Sequence, residues 1–418
     1  MFDYINKNYF KFLLTTIFFF ISVFIINNEF VSNFIWWFPE LFGDLRTPVR
    51  WLECVNLGYN TYEDKDTFMQ CAKREFHYGK IFFLVPFSEN LKFFYIKVLP
   101  YLLIFFSIFF IFKIFNIKSF LSLIVPILVI LNPSSFLLFS GTNIDLLIFI
   151  FLILIVYNRL YAINWFIYFF LTFLKIYPII LFLNIFFENN KRSLKNITII
   201  FITLISISLF YLFFNLSEYI YFLENLSGAK AGYHYLFSLN STAKILKYKL
   251  GLNYILLIFF TYLIFIYLTK KIYKSISIGL DKNLYQNKLY YSIEFKLFIL
   301  TSLISLISFI FFSNFFHREI FLIGTMPLII KLYNETKMFH FKLIIMLYLF
   351  KLFYTYIYSY FNINDGISYI NNQRIFSDLF LIIIFIKSLI DYSIMIMIAA
   401  LSVYNTKSFY NHFKKKFL

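Results

Sequence analysis

The residues best suited to chemistry form a short, scattered set. "FGDLRTPVRWLEC", Phe42 to Cys54, sets Asp44 beside Arg46 and Arg50. "FSGTNIDLL" supplies Asn143 and Asp145, and "FLKIYP" supplies Lys175. "AGYHYLFSLNSTAKIL" adds His234 and Asn240, and "SNFFHREIF" adds His317, Arg318 and Glu319. Arginine, lysine and histidine together with a few carboxylates suit an anionic substrate. Phosphate fits well, because these cations donate charge-assisted hydrogen bonds to its oxygens. A carboxylate that reaches a hydroxyl can act as general base. Nothing in the sequence has the spacing of a metal site, a phosphate-binding loop or a dinucleotide fingerprint, so no metal and no cofactor is expected.

These residues must be positioned by a very apolar chain. Its 418 residues are 61% hydrophobic and 14% charged, against about 45–50% apolar and about 25% charged in soluble domains. Apolar runs such as "LPYLLIFFSIFFIF" and "DLFLIIIFI" read as bilayer spans. The expected fold is therefore all-α, a polytopic bundle of transmembrane helices forming one integral membrane domain over 1–418. Phe, Ile, Asn, Lys and Tyr abound while Ala and Gly are scarce, so single aromatics and Asn-x-Ser/Thr matches carry little information. The net charge of +17 could suggest nucleic acid in a soluble protein. Here the lysines lie between apolar runs and read as topology, so no nucleic-acid partner is expected.

Lys7 and Lys11 precede the apolar stretch Phe12 to Ile26, and no small-residue cleavage site follows. An uncleaved anchor with a cytoplasmic N-terminus is expected. Placing the basic clusters inside, from Lys113 to the run at Lys407–Lys416, gives about 12 spans and a cytoplasmic C-terminus. The spans fall near 12–30, 92–112, 119–131, 144–157, 162–174, 176–187, 196–214, 253–269, 297–313, 319–333, 343–358 and 376–404. The stretch 164–187 is divided in two near Lys175 and Pro178, and 376–404 is kept as one tilted helix. Lys387 and Asp391, four residues apart on it, form an expected structural pair.

The outside segments then include a long first loop, 27–91, a turn at 132–143 and a second loop, 215–252. The first loop holds nine of the 21 acidic residues, and it also holds His77, Tyr78, Gly79 and both cysteines. Cys54 and Cys71 have no competing partner, and a disulfide is the preferred reading over two free thiols. The polar set named above falls on this same outer side.

The order of "GDLRTPVRW", "NLGYNTYE", "FHYGKIFFLVPF", "LNPSSFLLFSGTNIDLL", "FLKIYPIILFLNIFFENNKR", "GYHYLFSLNSTAKIL" and "HREIFLIGTMPLI" resembles the family-87 glycosyltransferases of the GT-C superfamily, over roughly 40–330. That resemblance implies a membrane hexosyltransferase of the cell envelope, similar to mannosyltransferases that use polyprenyl-phosphate sugars. It implies a polyprenyl-phosphate-linked sugar as donor, a glycan or glycolipid as acceptor, and membrane lipid as surroundings. It places the chain in a plasma membrane, the inner membrane of a bacterium. It gives Asp44 the role of base; the donor phosphate is then expected on Lys175, His234, His317 or Arg318, with Arg46, Asn143, Asp145 and Asn240 as further candidates. Thr142 departs from the family pattern, where Gln is common.

Other readings stay open. Asp44 could pair with Arg46 or Arg50 and order the loop, and Lys175 could snorkel from a helix end. A lipid-linked glycan flippase or other transporter is one rival, although no paired halves are visible. An outer-face glycan polymerase or ligase is another.

Overall fold

A computed structural model describes residues 2–28, 41–59, 70–72, 80–117, 119–158, 161–175, 177–187, 194–216, 236–280, 290, 292–311, 314–315, 319–364, 367–370 and 373–417. Among them the chain is helical apart from two short antiparallel pairs, Leu236–Phe237 with Asn314–Phe315 and Ile367–Ile370 with Gln373–Phe376. It forms two compact units.

The first unit contains α1 (Phe2–Asn27), α2 (Gly43–Asn56), α3 (Glu89–Lys97), the first part of α4 (Leu99–Ile114), α7 (Ile144–Tyr157), α8 (Tyr161–Leu174) and α9 (Leu194–Phe214). The segment expected as the long first loop is therefore partly helical, with α2 and a 3-10 turn at Lys80–Leu84 inside it. Burial explains α2. Thr47, Pro48, Val49, Trp51, Leu52 and Cys54 are buried, while Arg46, Arg50 and Glu53 are only partly covered. Trp51 packs edge-on to Phe82 at 6.5 Å, in a cluster with Ile144 of α7 and Leu174 of α8. A disulfide joins Cys54 to Cys71 inside this cluster, with 6.0 Å between their Cα atoms. Glu53 adds an ion pair to Lys92 of α3. After α8 the chain passes Lys175 into a 3-10 helix, Tyr177–Phe187, so 161–187 is two segments.

The second unit contains α5 (Phe120–Ile130), the start of α6 (Pro133–Gly141), α10 (Leu239–Leu250), α11 (Tyr254–Gly279), α12 (Ile293–Phe311), α13 (Ile320–Ile323), α14 (Met326–Thr336), α15 (Phe339–Asn364) and α16 (Asp378–Phe417). The expected turn at 132–143 is mostly the short helix α6, and the loop 215–252 contains α10. Asn132 holds the α5–α6 corner, because its amide donates to the Leu352 carbonyl of α15 and accepts from Ser134 N–H. Gly324 lets the α13–α14 corner touch α12, since a Cβ there would lie 2.4 Å from the Thr301 methyl. The final helix is continuous for 40 residues.

By length and composition, five helices among the described residues can cross a membrane: Asn8–Asn27, Tyr254–Gly279, Ile293–Ile310, Phe339–Phe361 and Asp378–Asn411. Two bent pairs, Glu89–Lys97 with Leu99–Ile114 and Phe120–Ile130 with Pro133–Gly141, bring the number to seven. Three further apolar helices are shorter, 10–17 residues. The chain is thus a helical, membrane-type protein.

Candidate functional site

Asp44 and Asn143, 99 residues apart in sequence, meet in the first unit. The Asn143 amide Nδ2 donates to Asp44 Oδ2 at 3.0 Å. Each residue owes its place to its helix. Asn143 is the N-cap of α7, and its Oδ1 accepts from Asp145 N–H at 3.0 Å. That cap fixes the amide orientation: the oxygen is held by the helix end, so the NH2 group faces Asp44. Asp44 lies in the first turn of α2, where a carboxylate complements the positive end of the helix dipole. Pro48, four residues on, has no N–H to offer the Asp44 carbonyl, which loosens that turn.

The two approaches are sharply bent. Phe42 and Thr142 both adopt left-handed backbone, with φ of 60° and 49°. Such a conformation is uncommon outside glycine and unusual for a β-branched threonine. Phe42 N–H donates to the Ser140 carbonyl and Thr142 Oγ1 donates to Phe139 O at 2.9 Å. Packing of Phe42 against Tyr101, with ring centroids 5.3 Å apart, holds the first bend. Thr142 stands directly before Asn143 and Phe42 two positions before Asp44, a pattern characteristic of functional sites.

Behind Asn143, the Asp145 side chain is fully buried and accepts from Lys175 Nζ at 2.6 Å. A buried carboxylate requires such a partner. The lysine sits just past the last turn of α8, its backbone N–H still bonded to the Leu171 carbonyl. Its ammonium faces the interior, with the side chain 11% exposed, so it does not simply snorkel outward. The pair locks the start of α7 to the end of α8. Asp44, Asn143, Asp145 and Lys175 are thereby drawn into one connected group.

Arg46 and Arg50 lie half-buried on α2. Asn240, in the second unit, is in the first turn of α10, and its Oδ1 is buried without a hydrogen-bond partner among the described residues. His234, His317 and Arg318 lie outside the described residues, as do His77, Tyr78 and Gly79. Among the described residues, no three of His, Cys, Asp and Glu gather as a metal site requires.

The second unit holds a separate charged group that sequence reasoning resolved only in part. Lys387 Nζ lies 2.8 Å from Asp391 Oδ2 and 3.2 Å from Glu319 Oε1. Lys351 Nζ lies 3.0 Å from Glu319 Oε1 and also bonds to Asp391 Oδ1. All four side chains are at most 8% exposed. The Lys387–Asp391 pair sits where helical spacing puts it. Glu319, grouped by sequence with His317 and Arg318 as part of an outer polar set, instead turns its carboxylate into the protein. Lys351 was missed; its signal was a lone charge inside "LYLFKLFYTY". Two cations and two anions balance, which is how buried charge is tolerated.

Compared with protein-family models, with curated proteins and with solved structures, the chain matches none.

Proposed function

We propose that the protein is a membrane glycosyltransferase that moves a hexose from a polyprenyl-phosphate sugar to a glycan or glycolipid acceptor, with inversion. The observation that carries the reading is the Asn143–Asp44 hydrogen bond. It holds one oxygen of a half-buried carboxylate and leaves the other for a substrate hydroxyl. In this reaction Asp44 takes the proton of the acceptor hydroxyl as its oxygen attacks the anomeric carbon. The bond from that carbon to the phosphate oxygen breaks, and polyprenyl phosphate leaves with the electron pair. The phosphate half of the reaction, given to His234, His317 and Arg318, rests on the sequence alone. Lys175 has a different part in this reading: its charge offsets Asp145 and steadies the α7 cap that aims Asn143.

The reading also carries about 12 spans, an extracytoplasmic site, cytoplasmic termini and a bacterial inner membrane. Among the described residues, five to seven membrane-type helices and three shorter apolar ones support a membrane setting, and they fall short of twelve.

The test is Asp44→Asn, assayed with a panel of polyprenyl-phosphate sugars. Removing a general base lowers turnover about 10²–10⁴-fold, while expression and donor binding stay near those of the unaltered protein. Near-normal transfer by a well-expressed Asp44→Asn protein would remove Asp44 from the mechanism. No transfer by the unaltered protein from any donor in the panel would remove the reaction.

A further inference from the structure

Three lysines of α11 have no role in the reaction above, and their setting is specific. The helices α11 and α16 run in the same direction. Tyr392 donates to the Thr261 carbonyl at 2.6 Å and packs against Phe265, while further along both helices Lys407 lies over the Tyr273 ring at 5.9 Å. Their lysine-bearing ends therefore coincide. Lys270, Lys271, Lys274, Lys407 and Lys414 are all exposed there. No acidic residue occurs from Tyr254 to Leu280 or from Tyr392 to Leu418. Gly279 abuts Met338, which brings exposed Lys337 and Lys342 to the same end. Of the acids nearest in sequence, Asp281 comes two residues past the end of α11, Glu294 lies 4.0 Å from Lys331, and exposed Glu335 comes two residues before Lys337.

The surface leading to the lysines is apolar. Leu256, Phe259, Phe260, Leu263 and Tyr267 are exposed on α11. Steps of three and four residues align them on one face, and the same steps continue to Lys270, Lys271 and Lys274. From Leu256 to Tyr267 the helix rises about 16 Å at 1.5 Å per residue, close to half of a hydrocarbon core of about 30 Å. One face thus offers an apolar stripe one leaflet long, capped by three ammonium groups.

We propose that this face of α11 is a binding site for an anionic bilayer phospholipid. The acyl chains lie along Leu256–Tyr267, and the anionic headgroup meets Lys270, Lys271 and Lys274. The stripe matches an ordinary two-chain lipid of one leaflet; a polyprenyl chain would far outrun it. The site belongs to the second unit and does not depend on the reaction assigned to the first.

The experiment uses the full chain in mixed vesicles of phosphatidylcholine and phosphatidylglycerol, with spin-labelled versions of each lipid. The labelled phosphatidylglycerol should be held in preference to phosphatidylcholine, by roughly fivefold for each lysine engaged. The preference should shrink at high salt, disappear in Lys270→Gln/Lys271→Gln/Lys274→Gln, and persist when the same three positions carry arginine. Equal retention of the two lipids by the unaltered protein overturns the site, as does a preference that survives the glutamine variant. Stronger retention of polyprenyl phosphate than of phosphatidylglycerol overturns the assignment to a bilayer phospholipid. Should the glutamine variant fail to fold, the salt dependence in the unaltered protein decides the question.

Discussion

Asn143 joins two functions in one amide, and substitutions can separate them. Serine at this position still offers an oxygen to the α7 N-terminus but has no NH2 group for Asp44. Alanine loses both. Asn143→Ala should cost about 1 kcal/mol of stability through the lost cap, while Asn143→Ser should melt close to the unaltered protein. Both should lower transfer, since both free the Asp44 oxygen. Thermal unfolding in detergent beside a transfer assay checks the pair; an active serine variant would show that the amide contact is dispensable. Asn143, Asp145 and Lys175 were legible as candidates because polar groups are rare in this chain. Their pairing was not legible. The Lys175–Asp145 contact spans 30 residues, and no local pattern connects a lysine after one helix with an aspartate in the first turn of another.

The charged quartet and the disulfide act on whole elements. Glu319, Lys351, Lys387 and Asp391 tie the start of α13 to the middle of α15 and the first third of α16. Lys351→Met removes one cation and leaves a buried negative charge. Breaking such a buried pair from one side costs about 3–5 kcal/mol, so the variant should show a strongly lowered melting temperature, with Lys351→Met/Asp391→Leu recovering part of the loss. No recovery in the double variant would mean that the four groups do not act as a charge-balanced set. In the first unit, Cys54 and Cys71 should resist alkylation until reduced, and reduction should destabilise the α2 region by about 3 kcal/mol for a loop of this size. Ready labelling of both thiols in unreduced membranes would contradict the bond. The i, i+4 pair on α16 was visible to a helical reading, whereas Lys351 and Glu319 come from other elements and join it only through packing. The helix α2 was hidden for a related reason: its apolar residues are few enough to look like loop, and Ile144, Leu174 and Phe82 give that side its core.

At the scale of the whole chain, composition alone made the membrane class clear, because runs of Phe, Ile and Leu have few other places to go. The positions of the breaks were less visible. The corner at Asn132 is announced by its Asn-Pro-Ser-Ser sequence, whereas the corner at Gly324 lies inside the apolar run "IFLIGTMPLII", which reads as the single span 319–333. The proposed orientation predicts that single cysteines introduced in 27–91 and 215–252 react with an impermeant reagent from outside, while one at Lys282 reacts only after permeabilisation. Labelling of 215–252 from the inside would put the two polar loops on opposite sides and end the reading of a shared outer site. The continuous helix α16 supplies its own scale for such work. Its 40 residues extend about 60 Å, about twice the hydrocarbon thickness. A bilayer of that thickness covers only part of it, so reporter groups at its exposed positions, such as Leu379, Ile382, Ile386, Leu389, Val403 and Tyr410, should report the change from water to oil and back. The protein contains a depth gauge, and the two points at which oxygen accessibility changes along it would fix both membrane surfaces.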